Sequence, residues 1–336
     1  MGHQEDGVGG HDAAVTTSLR VRLADLARRR TGGEITSMST ADIAKAQTTH
    51  PGHNRLRDRI FGAVADGVDI TDRVVTGRSG DRHVRLYSPM GRTPRGCVVN
   101  LHGGGWVLGD LDGNDWTCST VTAQTGAQVV SVDYRLAPTH RFPAGVHDCL
   151  DGLRWAADLP SASAGLVVMG DSAGGNLAAV LALASRDAGA PAIALQVLIY
   201  PSTDLTKQSP SLVTNAHAPF LTRAAVDAFT DHYLGPDGDP HDPLASPLLA
   251  TDHSGLPPAL IITAEHDPIR DDGRRYATAL RTAGVPVRHT DYVDVPHGFL
   301  SVPGLVPAAK QALAEICTEL TAAFSESARP DLPGSW

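Results

Sequence analysis

The chain has 336 residues, 42% of them hydrophobic and 19% charged, which excludes disorder over most of its length and suits two domains or one large domain with an elaboration. Against 28 Lys and Arg stand 37 Asp and Glu, a net charge of −9, which gives no electrostatic attraction to nucleic acid or anionic membranes and disfavours polyanions as partners. No apolar run approaches the roughly 20 residues that span a bilayer, which leaves only surface association open.

From the N-terminus, residues 1–14 are polar and Gly-rich and are expected to be disordered. Leu19, Leu23 and Leu26 then recur at i, i+4 and i+7, a one-sided stripe that predicts an amphipathic helix. Arg28, Arg29 and Arg30 close it as cations that complement a helix C-terminus, and Gly32-Gly33 stops it. Beyond residue 65 the texture changes. Residues 70–75 and 83–89 read as an antiparallel pair around the turn GRSGD. Continuous apolar runs follow at 97–101, 128–132, 165–169, 193–200 and 259–263, with helical composition at about 144–157, 173–187, 271–283 and 307–324. Apolar runs alternating with helices predict an α/β fold, a mostly parallel sheet buried on both faces by helices. Residues 202–256, rich in Pro, Asp and His with a helical piece near 221–234, are too long for an ordinary connection and are expected to form a cap.

The four cysteines, Cys97, Cys118, Cys149 and Cys317, form no CxxC pair or Cys/His cluster, so they read as buried free thiols. No charged n-region with an apolar h-region opens the chain, and a reducing cytoplasm is the expectation.

In such sheets chemistry sits beyond the carboxyl ends of the strands. After the run at 165–169 comes Gly170-Asp171-Ser172-Ala173-Gly174-Gly175 and a helical stretch, the strand–turn–helix context of a nucleophile elbow. After 97–101 comes His102-Gly103-Gly104-Gly105-Trp106, a loop whose unobstructed N–H groups suit an oxyanion and whose spacing matches no phosphate-binding pattern. Gly104, Gly105 and Ala173 are the candidate oxyanion donors, His102 a residue that holds the loop, and Asp171 a hydrogen-bond acceptor within it. A serine nucleophile needs a base and an orienting acid. Asp267, after the run at 259–263, and His297, after a last strand read at VRHTDYVDV (287–295), complete the order nucleophile, acid, base. Glu265 and Asp271 are the rival acids, His266 and His289 the rival bases. Trp106, Tyr200, Phe220, Leu221 and Phe299 are candidates for the acyl or alcohol pocket.

The motifs HGGGW (102–106), DYRLAP with FPA (133–138, 142–144), GDSAGG (170–175), DPLASPL (242–248), AEHDPIRD (264–271) and PHGF (296–299) together resemble the hormone-sensitive-lipase-like family of α/β-hydrolases, in its bacterial esterase branch. The resemblance covers about residues 65–325. It departs at Thr139-His140-Arg141, where the family commonly has Glu, and at Ile269, where it has Leu. It implies an α/β-hydrolase catalytic domain over 65–201 and 257–327, a helical cap from 15–64 and 202–256, and a tail over 328–336. It further implies a serine carboxylesterase acting on short- to medium-chain esters through an acyl-enzyme, with a small-molecule ester as substrate and no metal or organic cofactor, as monomer or homodimer. A dedicated deacetylase of a secondary metabolite, or a non-hydrolytic dehydratase or cyclase on the same scaffold, is the alternative.

Overall fold

The computed structural model describes residues 17–31, 34–49, 52, 54–78 and 80–327. The expected disordered start and the C-terminal tail lie outside them, as do Gly32 and Gly33. In chain order the elements are α1 (Leu19–Thr31), α2 (Thr40–Gln47), α3 (Arg55–Phe61), β1 (Val68–Gly77), β2 (Gly80–Pro89), β3 (Cys97–Leu101), α4 (Asp115–Thr125), β4 (Gln128–Val132), α5 (Ala144–Ala157), β5 (Leu166–Asp171), α6 (Ala173–Ala188), β6 (Leu195–Ile199), α7 (Ser211–Thr214), α8 (Arg223–Leu234), β7 (Ala259–His266), α9 (Arg270–Thr282), β8 (Val287–Pro296) and α10 (Ala308–Ser327).

The strands form one sheet in the order β1-β2-β4-β3-β5-β6-β7-β8. β1, β2 and β4 pair antiparallel, and every later pairing is parallel. Alternation along the strands divides the core into two layers. Val99, Val130, Val168 and Ile261 face one cluster with side chains of α5, α6 and α9. Their neighbours Val98, Val129, Val167 and Leu260 face the other, with α4 and α10. Strands buried on both faces have no polar side to display, which is why they read as continuous apolar runs.

α4 is a helix without a sequence signal. Its sequence, DWTCSTVTAQT, carries four threonines and a serine and no apolar stripe, yet Thr117, Cys118, Ser119, Val121, Thr122 and Thr125 are all buried. Packing between the sheet and α10 overrides its modest propensity.

α1 corrects the sequence reading in one respect. The helix is present, but its leucine stripe does not pack: Leu19, Leu23 and Leu26 are 69%, 57% and 43% exposed, whereas Val21 and Asp25, on the opposite face, are buried. The inner face joins the core through Val21 and is held by a polar contact, the Asp25 carboxylate accepting the Phe220 N–H at 3.0 Å. No helix among the described residues is long and apolar enough to cross a membrane.

Candidate active site

β3 and β5 are adjacent and parallel, with Leu101 paired to Gly170 at their carboxyl ends. The loop 102–106 and the turn 170–175 therefore emerge side by side, at the point where the chain order across the sheet reverses. The turn is tight: Ser172 stands at φ 55° and ψ −117° immediately before α6, a backbone region side chains rarely adopt and one that thrusts its hydroxyl out of the sheet. Gly174 permits this approach, because a Cβ there would stand 1.9 Å from the Leu101 carbonyl oxygen.

The Ser172 hydroxyl lies 2.9 Å from His297 Nε2, and His297 Nδ1 lies 2.7 Å from Asp267 Oδ2. Asp267 is wholly buried; its other oxygen accepts the Ile269 N–H at 2.9 Å, so the carboxylate is fixed by two donors. The Asn215 amide donates to the carbonyl oxygens of Glu265 and Asp267, both at 3.0 Å, gripping the backbone on either side of His266. This chain can take a proton from Ser172 onto the imidazole and stabilise the cation that forms.

The rival acids and bases are engaged elsewhere. Asp271 pairs with Arg270 at 2.9 Å, and a Glu265 carboxylate oxygen accepts the Asp294 N–H at 2.8 Å. His289 meets Thr263 Oγ1 at 3.0 Å, and His266 lies 3.9 Å from Asp294.

The glycine loop is braced from below. The Tyr134 hydroxyl donates to the His102 carbonyl oxygen at 2.7 Å, its ring stacks on the His102 ring at 4.3 Å, and Asp171 Oδ1 accepts the Gly103 N–H at 2.9 Å. Burial pushes the Asp171 carboxyl above its ordinary range, a shift that His102 and the Gly103 N–H only partly offset. Gly104 and Gly105 adopt φ of 119° and 63°, which turn the loop back so that the Val107 and Leu108 N–H groups bond the Gly104 carbonyl. Ala173, the first residue of α6, has no intrahelical acceptor for its N–H. All three line the same cavity as Ser172 and His297.

That cavity encloses 820 Å³, room for a small to medium organic ester. Of the five candidate pocket residues, Trp106, Phe220 and Leu221 line it; Tyr200 and Phe299 do not. These two are buried behind the imidazole, with the Tyr200 ring edge-on to His297 at 4.8 Å and to Phe299 at 5.7 Å. They pack behind the imidazole and not on the cavity wall, unlike the sequence reading. Trp106 is itself stacked flat on Tyr233 at 4.4 Å.

Several lining residues had no sequence signal. Val226, Phe229 and Thr230 come from α8, and Ala24, Arg57 and Phe61 from α1 and α3. Phe229 was findable in principle from its i+3 spacing to Val226, but nothing local says what that face of α8 covers.

A family model described as alpha/beta hydrolase fold matches residues 98–301. The chain is 42% identical to Esterase LipI of Mycobacterium tuberculosis, over 77% of this chain and 83% of that protein. It is 45% identical to Carboxylesterase NlhH of the same species, over 69% of this chain and 75% of that one. Among solved structures, a hyperthermophilic esterase from the archaeon Pyrobaculum calidifontis superposes with a TM-score of 0.82 at 34% identity, over 93% of this chain and 99% of that one. With its elbow, glycine loop and sheet order, the chain belongs to the hormone-sensitive-lipase-like esterases of the α/β-hydrolase family.

Proposed function

We propose that the protein is a carboxylesterase for short- to medium-chain esters in which Ser172 is the nucleophile, His297 the general base and acid, and Asp267 the residue that orients the imidazole. The hydrogen-bonded run from Asp267 through His297 to Ser172, at the floor of a cavity bordered by Gly104 and Gly105, carries this reading. Ser172 Oγ attacks the ester carbonyl as His297 Nε2 takes its proton. The carbonyl oxygen becomes an oxyanion held by the N–H groups of Gly104, Gly105 and Ala173. His297 returns the proton to the leaving alcohol, and water, deprotonated by the same imidazole, then releases the acid from the acyl-enzyme.

Residues 15–64 and 202–256 act as the cap that encloses the substrate, supported by the side chains that α1, α3 and α8 send into the cavity. A reducing cytoplasm suits the four thiols, which are free and buried; burial pushes Cys97 and Cys317 up to about 12.

The test is initial-rate hydrolysis of p-nitrophenyl acetate, butyrate, octanoate and palmitate by the wild type and by Ser172→Ala. A rate that peaks at the shorter acyl chains and falls by several orders of magnitude in the variant is expected. A folded wild type no faster than Ser172→Ala on every ester would sink the assignment.

A further inference from the structure

The net charge of the whole chain conceals a division. Residues 17–62 carry nine basic against four acidic side chains, a net of +5, while the rest of the chain carries 19 against 33, a net of −14. The basic segment is also where apolar side chains face solvent. Leu19, Leu23 and Leu26 project from α1, and Leu56 and Phe61 from α3. At 100° per residue, Arg20 and Arg22 flank the leucine stripe of α1 on its two sides, and both are exposed. Both helices reach the cavity, α1 through Ala24 and Ala27, α3 through Arg57, Ile60 and Phe61. Arg57 has a buried guanidinium nitrogen, Nη1, with no hydrogen-bond partner.

An exposed apolar stripe bordered by cations is the pattern of a helix that lies in a lipid interface: leucines enter the acyl boundary while arginines meet anionic headgroups. We infer that the α1 and α3 face docks the protein on an anionic lipid surface, with the cavity rim they form turned towards the lipid. Esters that partition into a membrane would then reach the cavity without crossing bulk water. The acidic remainder of the molecule favours this orientation, since its net charge is repelled by the surface.

The test is co-sedimentation of the full chain with vesicles of phosphatidylcholine alone and with about 30% phosphatidylglycerol, at low and high salt. Binding is expected on the anionic vesicles at low salt, at least about tenfold weaker on neutral ones and at high salt. Arg20→Glu with Arg22→Glu should weaken anionic binding by about fivefold or more per residue. Leu19→Ser, Leu23→Ser and Leu26→Ser together should weaken it at least about tenfold, with hydrolysis of a soluble p-nitrophenyl ester unchanged as proof of folding. Anionic vesicles that pellet no more protein than buffer, or binding that survives both sets of substitutions, overturns the inference. So does a dimer in sedimentation velocity that the leucine substitutions convert to monomer while neither form binds lipid, because the face would then be a contact between copies. Pelleting needs no turnover, so its outcome is independent of the proposed chemistry.

Discussion

The ring of Phe229 closes directly over Gly105: a Cβ built on the glycine would stand 2.3 Å from ring atoms Cδ1 and Cγ. Helix α8 therefore presses on the loop proposed to hold the oxyanion, and Gly105 is confined by the ring as well as by its φ of 63°. Gly105→Ala is expected to displace one N–H donor and lower kcat by about a hundredfold, the usual cost of losing such a donor. Adding Phe229→Ala should recover part of the loss by making room for the methyl group. A Gly105→Ala enzyme with unchanged kcat would remove Gly105 from the oxyanion site.

Asp267→Asn replaces an acceptor with an amide beside His297 Nδ1, which lies 2.7 Å from the carboxylate. The imidazole is then held with its proton on the wrong nitrogen. Steady-state kinetics should show kcat reduced by about 10⁴-fold with little change in KM, and circular dichroism should show the fold intact.

The strands β3 to β7 were legible in the residues because they are buried on both faces. The ranges read for β3, β4 and α5 coincide with the structure, and the elbow and glycine loop follow from local spacing. What stayed hidden depends on contacts between distant parts of the chain. α4 has no stripe to betray it. The stripe of α1 is real but outward, because the bond that seats the helix joins Asp25 to Phe220, 195 residues away. Phe299 falls two residues after His297 and Tyr200 directly follows β6, yet both lie behind the imidazole; the alternation that would settle their direction ends with the strand.

Asp148 ties the DYRLAP segment to α5: its carboxylate pairs with Arg135 at 2.7 Å and with Arg82 at 2.9 Å. Burial pushes the carboxyl up, but the bonds from Arg135 and Arg82 outweigh it and hold the group below its usual range. Its contribution is thus present above the ordinary aspartate pKa and is lost as pH falls through the depressed value. Asp148→Ala leaves two half-buried guanidinium groups without their anion, and urea unfolding at pH 7 is expected to show a loss of about 3 kcal/mol or more.

Asp272 behaves in the opposite sense. It is buried beneath the Thr203 and Asp204 N–H groups and the Ser209 hydroxyl, and burial raises it to about 8. Between the unfolded value near 4 and about 8, the folded chain keeps a proton that the unfolded chain has lost, so stability from this group is full below that window and declines as pH rises through it. Asp272→Asn keeps an acceptor for the two N–H groups and removes the titration. The urea midpoint of the variant minus that of the wild type should therefore rise from pH 5 to pH 8.5; a difference that stays flat would mean that Asp272 is ionised in the folded protein.

Because the Asn215 amide bonds the backbone carbonyls of Glu265 and Asp267, the 202–256 segment is not a free-swinging lid. Lifting it would strip two bonds from the loop that aims the imidazole, so a molecule that opened on this side would disarm itself in doing so. The opposite wall, built by α1 and α3, is joined to that segment by the Asp25–Phe220 bond and to the loop after His297 by the Gly304 N–H, which donates to the Ile60 carbonyl oxygen at 3.0 Å. Both walls of the enclosure are thus bonded to the loops that carry the proposed acid and base.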